Sequence, residues 1–378
     1  MSAPASLDRI RSQILWDRLL AVVEEQAQTL VRTAFSTTVR EAGDLSAGVF
    51  DTRGRMLAQA ITGTPGHVNA MAASVGFFLR KFPVDTLRAG DVLVTNDPWY
   101  GTGHLNDFTV VTPVFEGCRP VALFAATSHI ADVGGLGFGP DGRQVFEEGL
   151  NIPMGYLYRA GEPNTVLMEI LCANVRDPRA AEGDLHSLAA CNQAGADSLL
   201  ATLEEFGLDS LDGVASMIIE NSQQAMLEEI SKLPRGRWSH AMRIDGYDEP
   251  VDLVCELRIA SDGIDVDFSG TSPVCQHGIN VPLTYTQAYA SFGVRCVIGN
   301  DVPNNAGSLG VVRVTAPEGS ILNAPRPVAV SARHAIGQML PDVVLGCLEE
   351  PLGGQVPAEG ASCLFGPVFL GGRGMIPG

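Results

Sequence analysis

Two stretches of the chain set a histidine and an aspartate three residues apart beside an apolar run. In GHLNDFTVVTPVF, His104 and Asp107 precede the run; in PVALFAATSHIADVGG, His129 and Asp132 follow it. Residues 108–115 and 120–127 are strand-like runs of equal length joined by the short polar turn EGCR, which reads as an antiparallel hairpin. Folding about a centre between Gly117 and Cys118 pairs Asp107 with about Ser128. Cross-strand neighbours stand roughly 5 Å apart, so His104, Asp107, His129 and Asp132 are expected to gather at the open end of the hairpin. Two imidazoles and two carboxylates make a mixed nitrogen and oxygen donor set, suited to Zn²⁺, Mn²⁺ or Fe²⁺. Gly101, Gly103, Gly134 and Gly135 would let the backbone wrap closely there. One His-x-x-Asp alone is more often a cap or a surface pair; two at one end of one hairpin point to a divalent-metal site.

Other polar residues carry weaker signals. Asp44 follows Gly43 at the open end of a second hairpin, where a turn aspartate is the ordinary reading. His67, in GTPGHVNAM, stands at a helix start, and His334, in SARHAIGQ, heads another. Glu147 and Glu148, in FEEGLNIP, offer a further carboxylate or simply a solvated pair. NDPWYG reads as a turn, whose Trp99 and Tyr100 line a pocket or pack.

The elements that must position these residues follow from periodicity. Apolar residues at helical spacing predict a long helix over about 7–34. Short strands bracket a turn at 51–54, a helix starts near Gly66, and DVLVTN is a strand. Residues 180–232 turn helical, and LPRGRW marks a boundary. Beyond it strands prevail: a hairpin turns at 261–263 and GVVRVTAPEGSIL forms a strand, while TYTQAYASFGVRCVIG and RHAIGQMLPDVVLGCLEE are helical. The fold class is mixed α+β with prominent antiparallel hairpins. It divides into a metal-site part, 1–235, and a strand-rich part, 236–378, packed on it. The last stretch, LFGPVFLGGRGMIPG, has neither a cap nor a polar tail and reads as an interruption.

At 378 residues the chain is long for one ordinary core, and its net charge of −18 argues against nucleic acid or an anionic membrane as partner. Its 8 cysteines include no C-x-x-C pair, so they read as reduced, buried thiols of a cytoplasmic protein. The charged N-terminus has no signal-peptide pattern, and no apolar run reaches spanning length. Lys81 and Lys232 are the only lysines, and neither sits in a phosphate-binding loop; a nucleotide, if used, would be held elsewhere.

Several longer motifs together resemble the hydantoinase B/oxoprolinase family: STTVREAGDLSAGVFDTRGRMLAQA, GDVLVTNDPWYGTGHLNDFTVVTPVF, SHIADVGG, EEGLNIP, NVRDPRAAEGDL and DFSGTSP. The resemblance runs from the first helix to about Gly354. It implies ATP-dependent opening of cyclic amides such as hydantoins, oxoproline or lactams, within a hetero-oligomer. ATP would be bound by a partner, the hydantoinase A-type subunit, and this chain would hold the divalent metal. The family's metal motifs fall on Asp44, His104, Asp107 and His129, with Asp132 in the same segment and Glu148 a weaker match. His129, Asp107 and Asp132 would then serve the chemistry, Asp132 as ligand, orienting group or base. Many relatives have two adjacent histidines where this chain has His129-Ile130, and B-type chains are usually longer. Ketone carboxylation and a non-catalytic scaffold are the alternative readings.

Overall fold

The computed structural model describes residues 3–61 and 63–360. Two sheets organise the chain. The first has seven strands, all antiparallel: β1 (Leu45–Phe50), β2 (Met56–Gln59), β3 (Val92–Thr95), β4 (Asp107–Glu116), β5 (Arg119–His129), β6 (Gly155–Arg159) and β7 (Glu162–Pro163), in spatial order β2-β1-β5-β4-β3-β6-β7. The second has four strands, β8 (Gly236–Ile244), β9 (Val251–Ala260), β10 (Gly263–Asp267) and β11 (Val312–Thr315), with β10 and β11 parallel. The mixed α+β class expected from the sequence is the class observed.

Helices cover both faces of the first sheet. Val110 and Ala126 meet residues of α1 (Ala3–Thr33) and of the long helix Pro178–Phe206, including Leu30, Leu185 and Leu188. Their strand neighbours Val111 and Ala125 face the other way, toward Met71, Val75 and Phe78 of α2 (Pro65–Lys81). Burial on both sides explains why β4 and β5 read as unbroken apolar runs instead of alternating ones. A buried amide pair fastens the first layer. Gln26 Nε2 donates to the Ala125 carbonyl and to Asn192 Oδ1, while Asn192 Nδ2 donates to the Val110 carbonyl. These bonds satisfy the Gln26 Nε2 and the Asn192 amide, whose burial would otherwise be costly.

The central hairpin turns at Gly117 and Cys118, with Glu116 opposite Arg119. A one-residue bulge between Val114 and Phe115 then shifts the register, so Asp107 faces His129 and Phe108 faces Ser128. The sequence placed Asp107 opposite Ser128; it could count the turn but not the bulge. Periodicity also missed β6, β7 and the helix α3 (Thr165–Asn174). The helix expected over RHAIGQMLPDVVLGCLEE is broken into a short turn, His334–Gly337, and a helix Leu340–Leu348 that starts with Pro341 in its first turn. The strand expected over GVVRVTAPEGSIL covers only Val312–Thr315. The terminal stretch read as an interruption lies outside the described residues. No described helix is long and apolar enough to cross a membrane.

Gly195 shows how tightly the helical layer sits on the sheet. A Cβ there would stand 2.5 Å from Cε1 of buried Phe124. Gly195→Ala should therefore lower stability by about 1–3 kcal/mol through overpacking, visible as a lower urea midpoint with an unchanged slope.

Candidate functional site

The ends of three neighbouring strands bring the first donors together. Asp44 immediately precedes β1, where Leu45 pairs with Ser128, and its carbonyl accepts the His129 amide. His129 pairs in turn with Asp107 on β4. Asp44, His129 and Asp107 thus lie in one row across adjacent strands. His104 comes from the turn before β4. That turn is pinned by Asn96, whose Nδ2 donates to the carbonyls of Leu105 and Leu150, and by Asn106, which pairs with Ile130. His67 enters from the first turn of α2, behind Pro65 and Gly66.

Donor atoms of His104, Asp107 and His129 all lie within 4.8 Å of one another. Nε2 of His104 is 2.7 Å from Oδ1 of Asp107, and Nδ1 of His129 is 3.3 Å from the same oxygen. Asp44 Oδ2 stands 3.9 Å from His129 Nδ1. His104 and Asp107 are essentially buried, whereas Asp44 keeps 30% side-chain exposure toward the pocket.

The surroundings fix the state of each group. His104 Nδ1 lies 3.1 Å from the Ser331 carbonyl, an acceptor, so that nitrogen carries the proton and Nε2 presents its lone pair inward. Burial and the nearby Arg333 push the His104 pKa down to about 3, which keeps the ring neutral. For Asp107, burial alone would raise the pKa, but His67 and Arg333 hold it well below the usual carboxylate range. Its Oδ2 accepts from Thr102 Oγ1 at 2.5 Å, from Arg333 at 2.6 Å and from His67 Nε2 at 3.0 Å. Burial would also raise Asp44; His67, His129 and a bond from Thr64 at 2.8 Å outweigh it. His67 is held above its usual pKa by Asp107 and Asp44 against the effect of burial, with Nε2 3.0 Å from Asp107 and Nδ1 3.5 Å from Asp44.

This arrangement fits a divalent ion. Despite their 2.7 Å separation, His104 Nε2 and Asp107 Oδ1 do not meet hydrogen-bond geometry, and both are buried without a partner. Leaving such atoms unmet is costly, and a cation between them meets both. His104, Asp107 and His129 would hold it, with Asp44 alongside.

Not every expected residue joins them. Asp132 turns away: beyond His129 the chain wraps toward α3, and the Asp132 carboxylate accepts from Arg176, from both its backbone amide and its guanidinium, and from the Gly134 amide. The gathering of all four motif residues is therefore corrected to three. Glu148 is buried, yet its Oε1 accepts the Val330 and Ser331 amides, each at 2.7 Å. It braces the segment that orients His104. His334 lines the same pocket as the donors, a cavity of about 270 Å³ that Thr38, Phe138, Tyr285, Tyr289 and Gln338 also line. Trp99 packs and donates to the Ala324 carbonyl.

Sequence reasoning missed Arg333 and Tyr285. Arg333 is 3% exposed, donates to Asp107 and lies over the Tyr285 ring at 4.1 Å. An arginine beside His334 in the largely apolar VAVSARHAIG was the available signal.

A mixed α+β fold that closes over a buried imidazole–carboxylate set at the end of a hairpin is thus the frame of this protein. Over residues 8–374 the sequence matches the pattern of one family, and the chain belongs to it: hydantoinase B/oxoprolinase. It is 28% identical over 373 residues to the B-type subunit of a putative D-/L-hydantoinase of Pseudomonas sp. (strain NS671), covering 93% of this chain and 63% of that protein. Its fold matches the ATP-dependent caprolactamase of Pseudomonas jessenii with a TM-score of 0.84 at 24% identity, over 91% of this chain and 60% of that one. An acetone carboxylase in its nucleotide-free form matches with a TM-score of 0.82 at 18% identity, over 92% and 48%. The chain therefore spans less than two thirds of each of these proteins.

The donor geometry and the buried Glu148 each lead to an experiment. Asp107→Ala and His104→Ala should each abolish stoichiometric divalent-metal uptake by elemental analysis, while Asp132→Ala should retain it. Burial raises the Glu148 carboxyl from 4.5 to about 7, against the pull of the Ser331 and Val330 amides. The folded chain then keeps a proton that the unfolded chain releases above 4.5, so stability from this group falls as pH rises from 4.5 through 7. Metal-free Glu148→Gln should gain on the wild type by about 2–3 kcal/mol between pH 4 and pH 8 in urea unfolding.

Proposed function

We propose that this chain is the metal-dependent subunit of an ATP-dependent cyclic-amide hydrolase, acting with an ATP-binding hydantoinase A-type subunit on a hydantoin, oxoproline or lactam ring. The observation that carries this reading is the convergence of His104 Nε2, Asp107 Oδ1 and His129 Nδ1 at the floor of a pocket lined by both histidines, with the unpartnered atoms of His104 and Asp107 facing one another. Kinship to a protein named as one subunit of a hydantoinase supports both the ring class and the need for a partner.

An amide carbonyl is a poor electrophile, and phosphorylation of its oxygen by the partner would supply a leaving group. The work left to this chain is delivery of water to an activated carbon. A divalent ion at the donor set supplies Lewis acidity and a more acidic water. His104 keeps one tautomer through Ser331, so its donor atom never turns outward. Asp107 is fixed through one oxygen by Thr102, Arg333 and His67, leaving the other directed at the site. Asp44, more exposed and held at Oδ1 by Thr64, completes the set on the pocket side. Asp132, bound to Arg176, is outside this set and takes no step.

The test is phosphate release and ring opening by the co-expressed pair with ATP, over a panel of hydantoin, 5-oxoproline, caprolactam and a ketone with bicarbonate. The expected outcome is turnover with one or more cyclic amides, lost in Asp107→Ala. Turnover confined to the ketone with bicarbonate would assign a carboxylase instead. Full metal content and full turnover in Asp107→Ala would overturn the site.

A further inference from the structure

The pocket over the donor set is roofed by a side chain that is poorly fastened for its position. Phe138 stacks face to face on His334, with ring centroids 4.9 Å apart and planes inclined by 14°. It also meets His104 and His129 edge-on, at 5.6 and 5.5 Å. Three imidazoles surround it, yet it remains 45% exposed. Beneath it, Nδ1 of His334 is buried without a hydrogen-bond partner.

The segment that carries Phe138, GGLGFGPDG over residues 134–142, is built differently at its base and at its tip. At the base, a Cβ on Gly134 would collide with the Asn174 carbonyl, and one on Gly135 would stand 2.5 Å from the Glu148 backbone. Arg176 also donates to the Gly135 carbonyl at 2.6 Å. The base is clamped. At the tip, Gly137 adopts φ +87° with nothing within 4 Å of such a Cβ, and Gly139 would meet only Asp141, at 3.9 Å. Phe138 therefore sits between two glycines whose Cα atoms face open space, the next tie being the Pro140 carbonyl, which accepts the Gly278 amide at 2.9 Å; Leu136 just before it is 62% exposed.

We propose that Phe138 is the specificity-determining residue of this site. Its ring holds the place of the substrate's ring, swings out on Gly137 and Gly139, and lets a small flat cyclic amide lie on the face of His334. Aromatic and imidazole faces pair with flat partners, and a phenyl ring already does so here. The walls of Tyr285, Tyr289 and His334, and a volume near 270 Å³, suit a single small ring. The chemical class of the ring rests on the hydrolase reading above.

The experiment reads the accessibility of His334 in the full chain, without partner, ATP or turnover. Diethyl pyrocarbonate labelling is followed residue by residue by peptide mass spectrometry, with His186, outside this pocket, as internal reference. Phe138→Ala should speed labelling of His334 roughly fivefold, because no opening step then limits access. Hydantoin or 2-pyrrolidone should slow labelling of His334, but not of His186, in both wild type and variant. Phe138→Leu, which keeps an apolar roof, should fall between the two and serves if the alanine variant is unstable. Equal labelling of His334 in wild type and variants overturns the proposal, and so does the lack of protection by both cyclic amides. A complex that opens no ring while His334 is still protected would sink the hydrolase reading and leave the ring subsite standing.

Discussion

The site depends on a single extra residue in a β-hairpin. With the turn at Gly117 and Cys118, an unbroken ladder would set Asp107 opposite Ser128. Because side chains alternate between the faces of a sheet, His129 and Asp107 would then not meet as a directly opposed pair. The bulge near Val114 advances the partner strand by one, and it does so far from the donors, about seven residues along the strand. Every later feature takes this register as given: the row of Asp44, His129 and Asp107 across three strands, and the approach of His104 from the preceding turn.

The second constraint is the charge of Asp107. A carboxylate buried this completely is tolerated only with compensation, and three groups provide it. Thr102 is local, His67 is carried by α2, and Arg333 arrives from 226 residues further along the chain. One oxygen is thereby saturated while the other stays directed at His104 and His129. The same Arg333 depresses the His104 pKa and packs on Tyr285, so it joins the electrostatics of the site to its wall.

Much of this was legible in the residues. The hairpin, its turn and the meeting of His104, Asp107 and His129 followed from the spacing of the two motifs and the lengths of the apolar runs. Asp132 was misplaced because spacing reports nearness along a strand but not the path after it ends; Gly134 and Gly135 bend that path to Arg176. Arg333 escaped because its partner is remote in sequence and it lies in no repeating pattern. His67 was visible as a helix-entry residue and a possible additional site residue, but its contacts to Asp44 and Asp107 depend on how α2 packs. The helix over residues 165–174 was missed for a different reason: it is apolar on nearly all sides yet buries only Leu171 completely, so its sequence shows no amphipathic stripe.

The remote origin of Arg333 has a consequence for biosynthesis. A chain made from its N-terminus presents Asp44, His67, His104, Asp107 and His129 to the cell well before residue 333 has been polymerised. Until that arginine docks, Asp107 lacks its permanent counter-charge, and the Ser331 carbonyl that sets the His104 proton is absent as well. The pocket is thus complete only once residues 331–333 have been made: the first half carries the imidazoles and carboxylates, and the later polypeptide supplies the groups that fix their charge and orientation.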